Sequence, residues 1–124
     1  MTEKPTILLV EDDRPLAELI NKTLQRKGYD TFLTNHPAEA ISFVRSNRPL
    51  AALIDLYLPE KSGLELIVEM KINGLLEQTS VIAISSLGFW EIVQQAVKAG
   101  AREFIVKPFN IDLLMEKLES VIPQ

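Results

Sequence analysis

The sequence predicts an α/β domain in which one parallel five-stranded sheet, in the order 2-1-3-4-5, is doubly wound between two layers of helices. Three observations carry that expectation. Apolar runs recur at intervals of roughly 20–25 residues along the chain. Three of them, TILLV, LAALI and VIAIS, are nearly uninterrupted, as parallel strands covered on both faces require. Between runs the apolar residues change to helical spacing, so the order reads strand then helix, five times over. Right-handed crossovers then favour an open three-layer sandwich, because a closed barrel needs eight such units.

Each element has its own justification. TILLV (6–10) is the first strand, and Leu16, Leu19, Ile20 and Leu24 follow as one helical stripe behind Pro15, which suits a first turn. YDTFLT (29–34) alternates, with Tyr29, Thr31 and Leu33 on one side and Asp30, Phe32 and Thr34 on the other, as an edge strand should. Pro37 opens the second helix ahead of Ile41 and Val44. LAALI (50–54) is the third strand, after which Ser62-Gly63-Leu64-Glu65 reads as a capping box before Ile67, Val68 and Met70. VIAIS (81–85) leads to a helix carrying Trp90, Val93 and Val97. EFIV (103–106) leads to Ile111, Leu114, Leu118 and Val121 behind an Asn110 cap. Gly28, Gly74 and Gly100 follow helical stretches where a left-handed residue is wanted.

Bulk properties bound the function. The 124 residues suit one domain, with a core over about 5–122 and no linker leading to an output module. Hydrophobic content of 47% with 24% charge is globular. No apolar run approaches the roughly 18 residues of a membrane span, and the start lacks a secretory pattern, so a cytoplasmic location is expected. The absence of cysteine removes disulfides, thiolate metal sites and thiol nucleophiles. A net charge of −4 and scattered lysines and arginines argue against direct binding of nucleic acid.

The chemistry gathers at the strand ends. Glu11, Asp12 and Asp13 follow the first strand, although two like charges about 5 Å apart cost on the order of 3 kcal/mol at an effective dielectric of about 20. Asp55 ends the third strand, Ser85 the fourth, and Lys107-Pro108 the fifth. Singly, each has an ordinary use: helix cap, turn residue, strand-end hydroxyl, surface lysine. Together they fall where ligands bind in open α/β sheets, outside the carboxyl ends at the switch in strand order. Clustered carboxylates favour a hard divalent cation such as Mg²⁺. An aspartate can attack phosphorus to form an acyl phosphate, and a metal with an ammonium can neutralise the transferring oxygens.

In LLVEDD, LIDLYLPEKSGLEL, VIAISS and AGAREFIVKPF, taken in that order, the sequence resembles the receiver domain of two-component response regulators over essentially its whole length, in the manner of a chemotaxis-type single-domain regulator. The resemblance implies a flavodoxin-like (βα)5 fold and the following roles. Glu11 and Asp12 match the acidic pair that holds Mg²⁺ (Mn²⁺ being an alternative), Asp55 the phosphoacceptor, and Tyr57 the residue whose backbone carbonyl completes the metal shell. Ser85 and Phe104 match the switch pair, Lys107 the lysine that pairs with the phosphoryl group, and Lys107-Pro108 a bond that is usually cis. Asp13 falls at a more variable position and is left out of the site.

A phosphorylation-dependent switch is therefore expected, receiving its phosphoryl group from a sensor histidine kinase or a histidine phosphotransfer protein. Output would pass to a downstream protein through the face of the fourth helix, fifth strand and fifth helix, where Phe89 and Trp90 are candidate contacts. It would be no enzyme beyond assisting its own phosphoryl transfer and slow hydrolysis. Ser86 and Leu87, with Tyr57, are expected to line the phosphoryl pocket, the two bulky residues slowing attack by water.

Serine stands at 85 where threonine is common, and phenylalanine at 104 where tyrosine is common, so switching at 104 must use ring packing alone. A phosphohydrolase would need a second acid at position 57, which is tyrosine. A flavin carrier would need a phosphate-cradling loop where Glu11-Asp12-Asp13 stands, and no P-loop or dinucleotide fingerprint is present. The remaining alternative is a receiver-like interaction domain indifferent to phosphate. His36, alone after an edge strand, receives no role.

Overall fold

In the computed structural model, which describes residues 4–122, the apolar runs form five parallel strands: β1 (Thr6–Val10), β2 (Asp30–Thr34), β3 (Ala51–Asp55), β4 (Ser80–Ser85) and β5 (Glu103–Val106). Their order is β2-β1-β3-β4-β5, the doubly wound arrangement expected of a flavodoxin-like domain. Five helices connect them: α1 (Arg14–Arg26), α2 (Pro37–Asn47), α3 (Gly63–Ile72), α4 (Trp90–Ala99) and α5 (Ile111–Val121). A short 3₁₀ turn at Leu75–Glu77, which the sequence reading does not anticipate, joins α3 to β4. Among the described residues, no helix is long and apolar enough to cross a membrane.

Strand alternation divides the core in two. Ile7, Leu9, Leu53, Ile84 and Ile105 point to one face, against Ala17, Ile20 and Leu24 of α1 and Leu114, Met115 and Leu118 of α5. Leu8, Val10, Ala52, Ile54 and Ala83 point to the other, against α2, α3 and α4. β1, β3 and β4 are covered on both sides, which is why their sequences hardly alternate. β2 lies at an edge, but its burial does not alternate as expected: Thr31 and Phe32 are half-buried, Leu33 is exposed and Thr34 is buried. Its Phe32 stacks on Phe43 of α2 with ring centroids 4.3 Å apart.

Caps follow the local chemistry. Asp13 Oδ1 accepts the Leu16 N–H at 3.2 Å, so the third acid of the EDD run starts α1. Ser62 Oγ accepts from the Glu65 N–H at 3.1 Å, and Asn110 Oδ1 from the Asp112 N–H at 2.7 Å. Gly28, Gly74 and Gly100 all have positive φ.

Three helical stripes differ from those expected. In α1, Leu19 is exposed and Ala17 takes its place in the core. In α3, Val68 is exposed and Leu66 is buried. In α4 the difference is largest. Trp90 and Val97 are 70% and 52% exposed and Val93 is only half-buried, while Ala96 and Ala99 are the buried positions and Ile92 packs partly beside them. Positions 92, 96 and 99 also have helical spacing. Ranking stripes by apolar bulk selects the wrong face here, because the buried positions of α4 are alanines. Phe89 is the N-cap of α4 rather than its first residue and is 64% exposed, so neither aromatic packs in the core.

Candidate functional site

The carboxyl ends of β1, β3 and β5 bring Glu11, Asp55 and Lys107 together. Lys107 Nζ donates to Asp55 Oδ2 at 2.8 Å and to Glu11 Oε2 at 3.1 Å. Backbone geometry holds each partner. The Glu11 N–H donates to the Thr34 carbonyl at 3.1 Å, continuing the β1–β2 pairing by one residue. The Lys107 N–H donates to the Ser85 carbonyl at 2.8 Å, and the Lys107-Pro108 peptide is cis. Asp55 Oδ1 accepts the Tyr57 N–H at 2.8 Å, fixing the carboxylate against its own loop.

Glu11 is unevenly satisfied. Its Oε2 accepts from the Asp12 N–H at 3.0 Å, the Asp13 N–H at 3.1 Å and Lys107 Nζ, whereas its buried Oε1 has no hydrogen-bond partner among the described residues. Burial, followed by the adjacent Asp55 carboxyl, pushes the Glu11 carboxyl up from 4.5 to about 7, against the opposing pull of the Asp13 N–H and Lys107. For Lys107, burial pulls the ammonium down. The hydrogen bonds and charges of Asp55 and Glu11 together outweigh that and leave it above its usual value.

The sign for stability follows. Between 4.5 and about 7 the folded protein keeps a proton on Glu11 that the unfolded chain has released. Without added divalent cations, the protein is expected to lose on the order of 2–3 kcal/mol as pH rises through that window. Urea unfolding at about pH 5 and about pH 8 measures this, and Glu11→Gln should flatten the slope.

The other expected site residues stand around this centre. Asp12 is exposed, and its Oδ1 accepts from Asn35 Nδ2 at 3.0 Å, at the mouth rather than inside the cluster. Among the described residues, no three acidic or imidazole side chains form a ready-made metal cluster. Ser85 is fully buried, with Oγ accepting the Leu87 N–H at 3.0 Å. Ser86 is exposed, Leu87 half-buried, and the Tyr57 ring 57% exposed. Phe104 is half-buried against the α2–α3–α4 side of the core.

Two neighbours escape the sequence reading. Asn35, just after β2, is not among the expected site residues, yet its side chain reaches Asp12. His36 Nδ1 lies 3.1 Å from Glu60 Oε1, tying the β2–α2 loop to the β3–α3 loop. An amide two residues before Pro37, which opens α2, is the available signal for Asn35.

Two carboxylates and a lysine thus meet at the carboxyl edge of a 2-1-3-4-5 parallel sheet, where doubly wound α/β domains bind their ligands. The sequence profile of the response regulator receiver domain matches residues 7–119, and the chain belongs to that family. It is 30% identical over 123 residues to sporulation initiation phosphotransferase F of Bacillus subtilis, spanning 99% of this chain and 96% of that one. It is 36% identical over 118 residues to a chemotaxis protein CheY homolog of Campylobacter jejuni, spanning 94% and 91% of the two chains. The receiver domain of the Francisella response regulator 1452 superposes with a TM-score of 0.87 at 26% identity, covering 94% of this chain and 95% of that one. Chemotaxis protein CheY4 of Vibrio cholerae shares the fold with a TM-score of 0.89 at 23% identity, covering 97% and 100%.

Proposed function

We propose that this receiver domain is a phosphorylation-driven switch in which Asp55 accepts a phosphoryl group from a phosphohistidine on a sensor histidine kinase or a histidine phosphotransfer protein. The observation that supports it most directly is the cluster at the sheet edge. Lys107 bridges Asp55 and Glu11, while the buried Glu11 Oε1 has no partner among the described residues. A bare, buried carboxylate oxygen facing a second carboxylate fits a hard divalent cation.

Glu11, Asp12, Asp55 and the Tyr57 carbonyl would hold Mg²⁺ or Mn²⁺. When bound, the cation supplies positive charge to the oxygens of the transferring phosphoryl group. The chain does the rest. An Asp55 carboxylate oxygen forms the O–P bond as the N–P bond of the phosphohistidine breaks, its electron pair staying on the imidazole nitrogen. Lys107 moves from pairing with the carboxylate to pairing with the new phosphoryl oxygens, a charge-assisted contact. Ser85, whose hydroxyl proton is not needed for its bond from Leu87, turns to donate to the same group. The Phe104 ring then repacks, shifting the balance of states at α4, β5 and α5 where a downstream protein docks. Exposed Phe89 and Trp90 at the start of α4 suit such a docking partner. The phosphotransferase and chemotaxis names of the two relatives agree with this reading.

Incubation with a small phosphodonor and Mg²⁺, followed by intact mass measurement, tests the acceptor. Wild type should gain one phosphoryl group and Asp55→Asn none. Equal labelling of both, or none of the wild type, refutes it. Partner capture that is equal with and without phosphodonor would favour a phosphate-indifferent interaction domain.

A further inference from the structure

We propose that Asn35, at the end of β2, is a positioning residue for the divalent-cation site, holding Asp12 in the orientation from which it serves the metal. This rests on the reading of Glu11, Asp12 and Asp55 as the cation site and adds to it a residue from a strand end that carries no charge.

The geometry is specific. Asn35 Nδ2 donates to Asp12 Oδ1 at 3.0 Å, across 23 residues of sequence. The bond engages one oxygen of Asp12 and leaves the other available, as a supporting amide must if the carboxylate is also to face a cation or its waters. Asp12 otherwise stands exposed in the loop between β1 and α1. An amide is also the suitable donor. It orients a carboxylate without bringing a positive charge that would compete with the metal, as a lysine in its place would.

Asn35 itself is held firmly. The Thr34 carbonyl before it accepts the Glu11 N–H at 3.1 Å, tying the end of β2 to the end of β1. Thr34 Oγ1 accepts the His36 N–H at 3.0 Å and donates to Glu39 Oε1 at 2.5 Å. His36 in turn pairs with Glu60 on the β3–α3 loop. The backbone on both sides of Asn35 is thus pinned, so its amide is presented from a rigid turn. A cleft of about 310 Å³, lined by Glu11, Asp12, Arg14, Glu18, Thr34 and Asn35 among others but not by Asp55, opens beside the pair.

The test follows amide resonances during Mg²⁺ titration of the unphosphorylated protein, so that no activity is involved. In the wild type, the Asn35 side-chain NH₂ signals should shift with the same saturation as the backbone amides near Asp12 and Asp55. Asn35→Ala should raise the Mg²⁺ Kd about tenfold, the order of effect found for groups that orient metal ligands. Asn35→Ser, which keeps a shorter donor, should fall between and guards against a misfolded alanine variant. In an Asp12→Ala background, Asn35→Ala should change the Kd by less than about twofold, because the two residues then have nothing to couple through.

An unchanged or tighter Kd for both single variants overturns the proposal, and so does the same loss in both backgrounds. If the wild type shows no saturable response to Mg²⁺, the cation site itself is refuted and Asn35 with it. If the wild type responds normally and only the Asn35 outcomes fail, the cation site stands and this inference alone falls.

Discussion

Lys107→Met is expected to slow phosphoryl labelling of Asp55 by about a hundredfold or more, the effect typical of removing one preorganised charge-stabilising donor from a transfer site. The Lys107 ammonium lies 2.8 Å from Asp55 Oδ2, and no other cation approaches that oxygen among the described residues. Two further consequences separate this role from a merely structural one. Without the ammonium, Glu11 and Asp55 face each other uncompensated, so one of them should stay protonated to a higher pH than in the wild type. At a pH where both are ionised, Mg²⁺ should bind the variant more tightly, because the competing lysine charge is gone. Labelling rates under single-turnover conditions, together with a Mg²⁺ titration, check all three. Full-rate labelling would remove Lys107 from the reaction.

Gly63→Ala should be strongly destabilising. A Cβ at Gly63 would lie 2.1 Å from the Asp55 carbonyl oxygen and 2.7 Å from Leu56 Cα, which are backbone atoms that cannot swing aside. The Gly63 N–H also donates to the Leu56 carbonyl at 2.9 Å, so the start of α3 is both pressed and bonded onto the strand that presents Asp55. Overpacking of this kind costs about 3 kcal/mol. The shift should appear as a lower urea midpoint at unchanged slope. Labelling of Asp55 should slow as well, since the carboxylate is carried on the displaced backbone. Gly28→Ala is the comparison. Its added methyl meets nothing within 4 Å, so only the strain of a left-handed residue remains, about 1 kcal/mol. Equal losses in the two variants would show that space at Gly63 is not what matters.

The strand–helix order and the sheet order were legible because burial on both faces leaves a strong mark on sequence: β1, β3 and β4 have no solvent side and therefore few polar residues. The strand-end positions of Glu11, Asp55, Ser85 and Lys107 followed from the same periodicity. What the sequence hid lies in short-range geometry. Gly63 reads as part of a capping box, and nothing in Ser-Gly-Leu-Glu reports the backbone pressed against it. The true inner face of α4 is made of alanines, which a search for bulky apolar stripes passes over in favour of Trp90 and Val97. Asn35 carries no charge and His36 stands alone after an edge strand, yet both make their contacts through loop positions that no repeat predicts. The missing partner of Glu11 Oε1 is equally invisible, because it depends on three donors converging on the other oxygen of one side chain.

Among the helices, α4 is fastened by the least. Ala96 and Ala99 are its only fully buried residues, whereas α5 buries Leu114, Met115, Leu118 and Val121. Each buried methylene holds an element in place by about 0.8 kcal/mol, so lifting α4 leaves methyl-sized gaps where lifting α5 would tear open the core. Ile92 adds a partial contact, whereas Trp90 and Val97 face outward. The helix thus carries its exposed aromatic side chains, Phe89 and Trp90, at one end and its buried alanines, Ala96 and Ala99, towards the other.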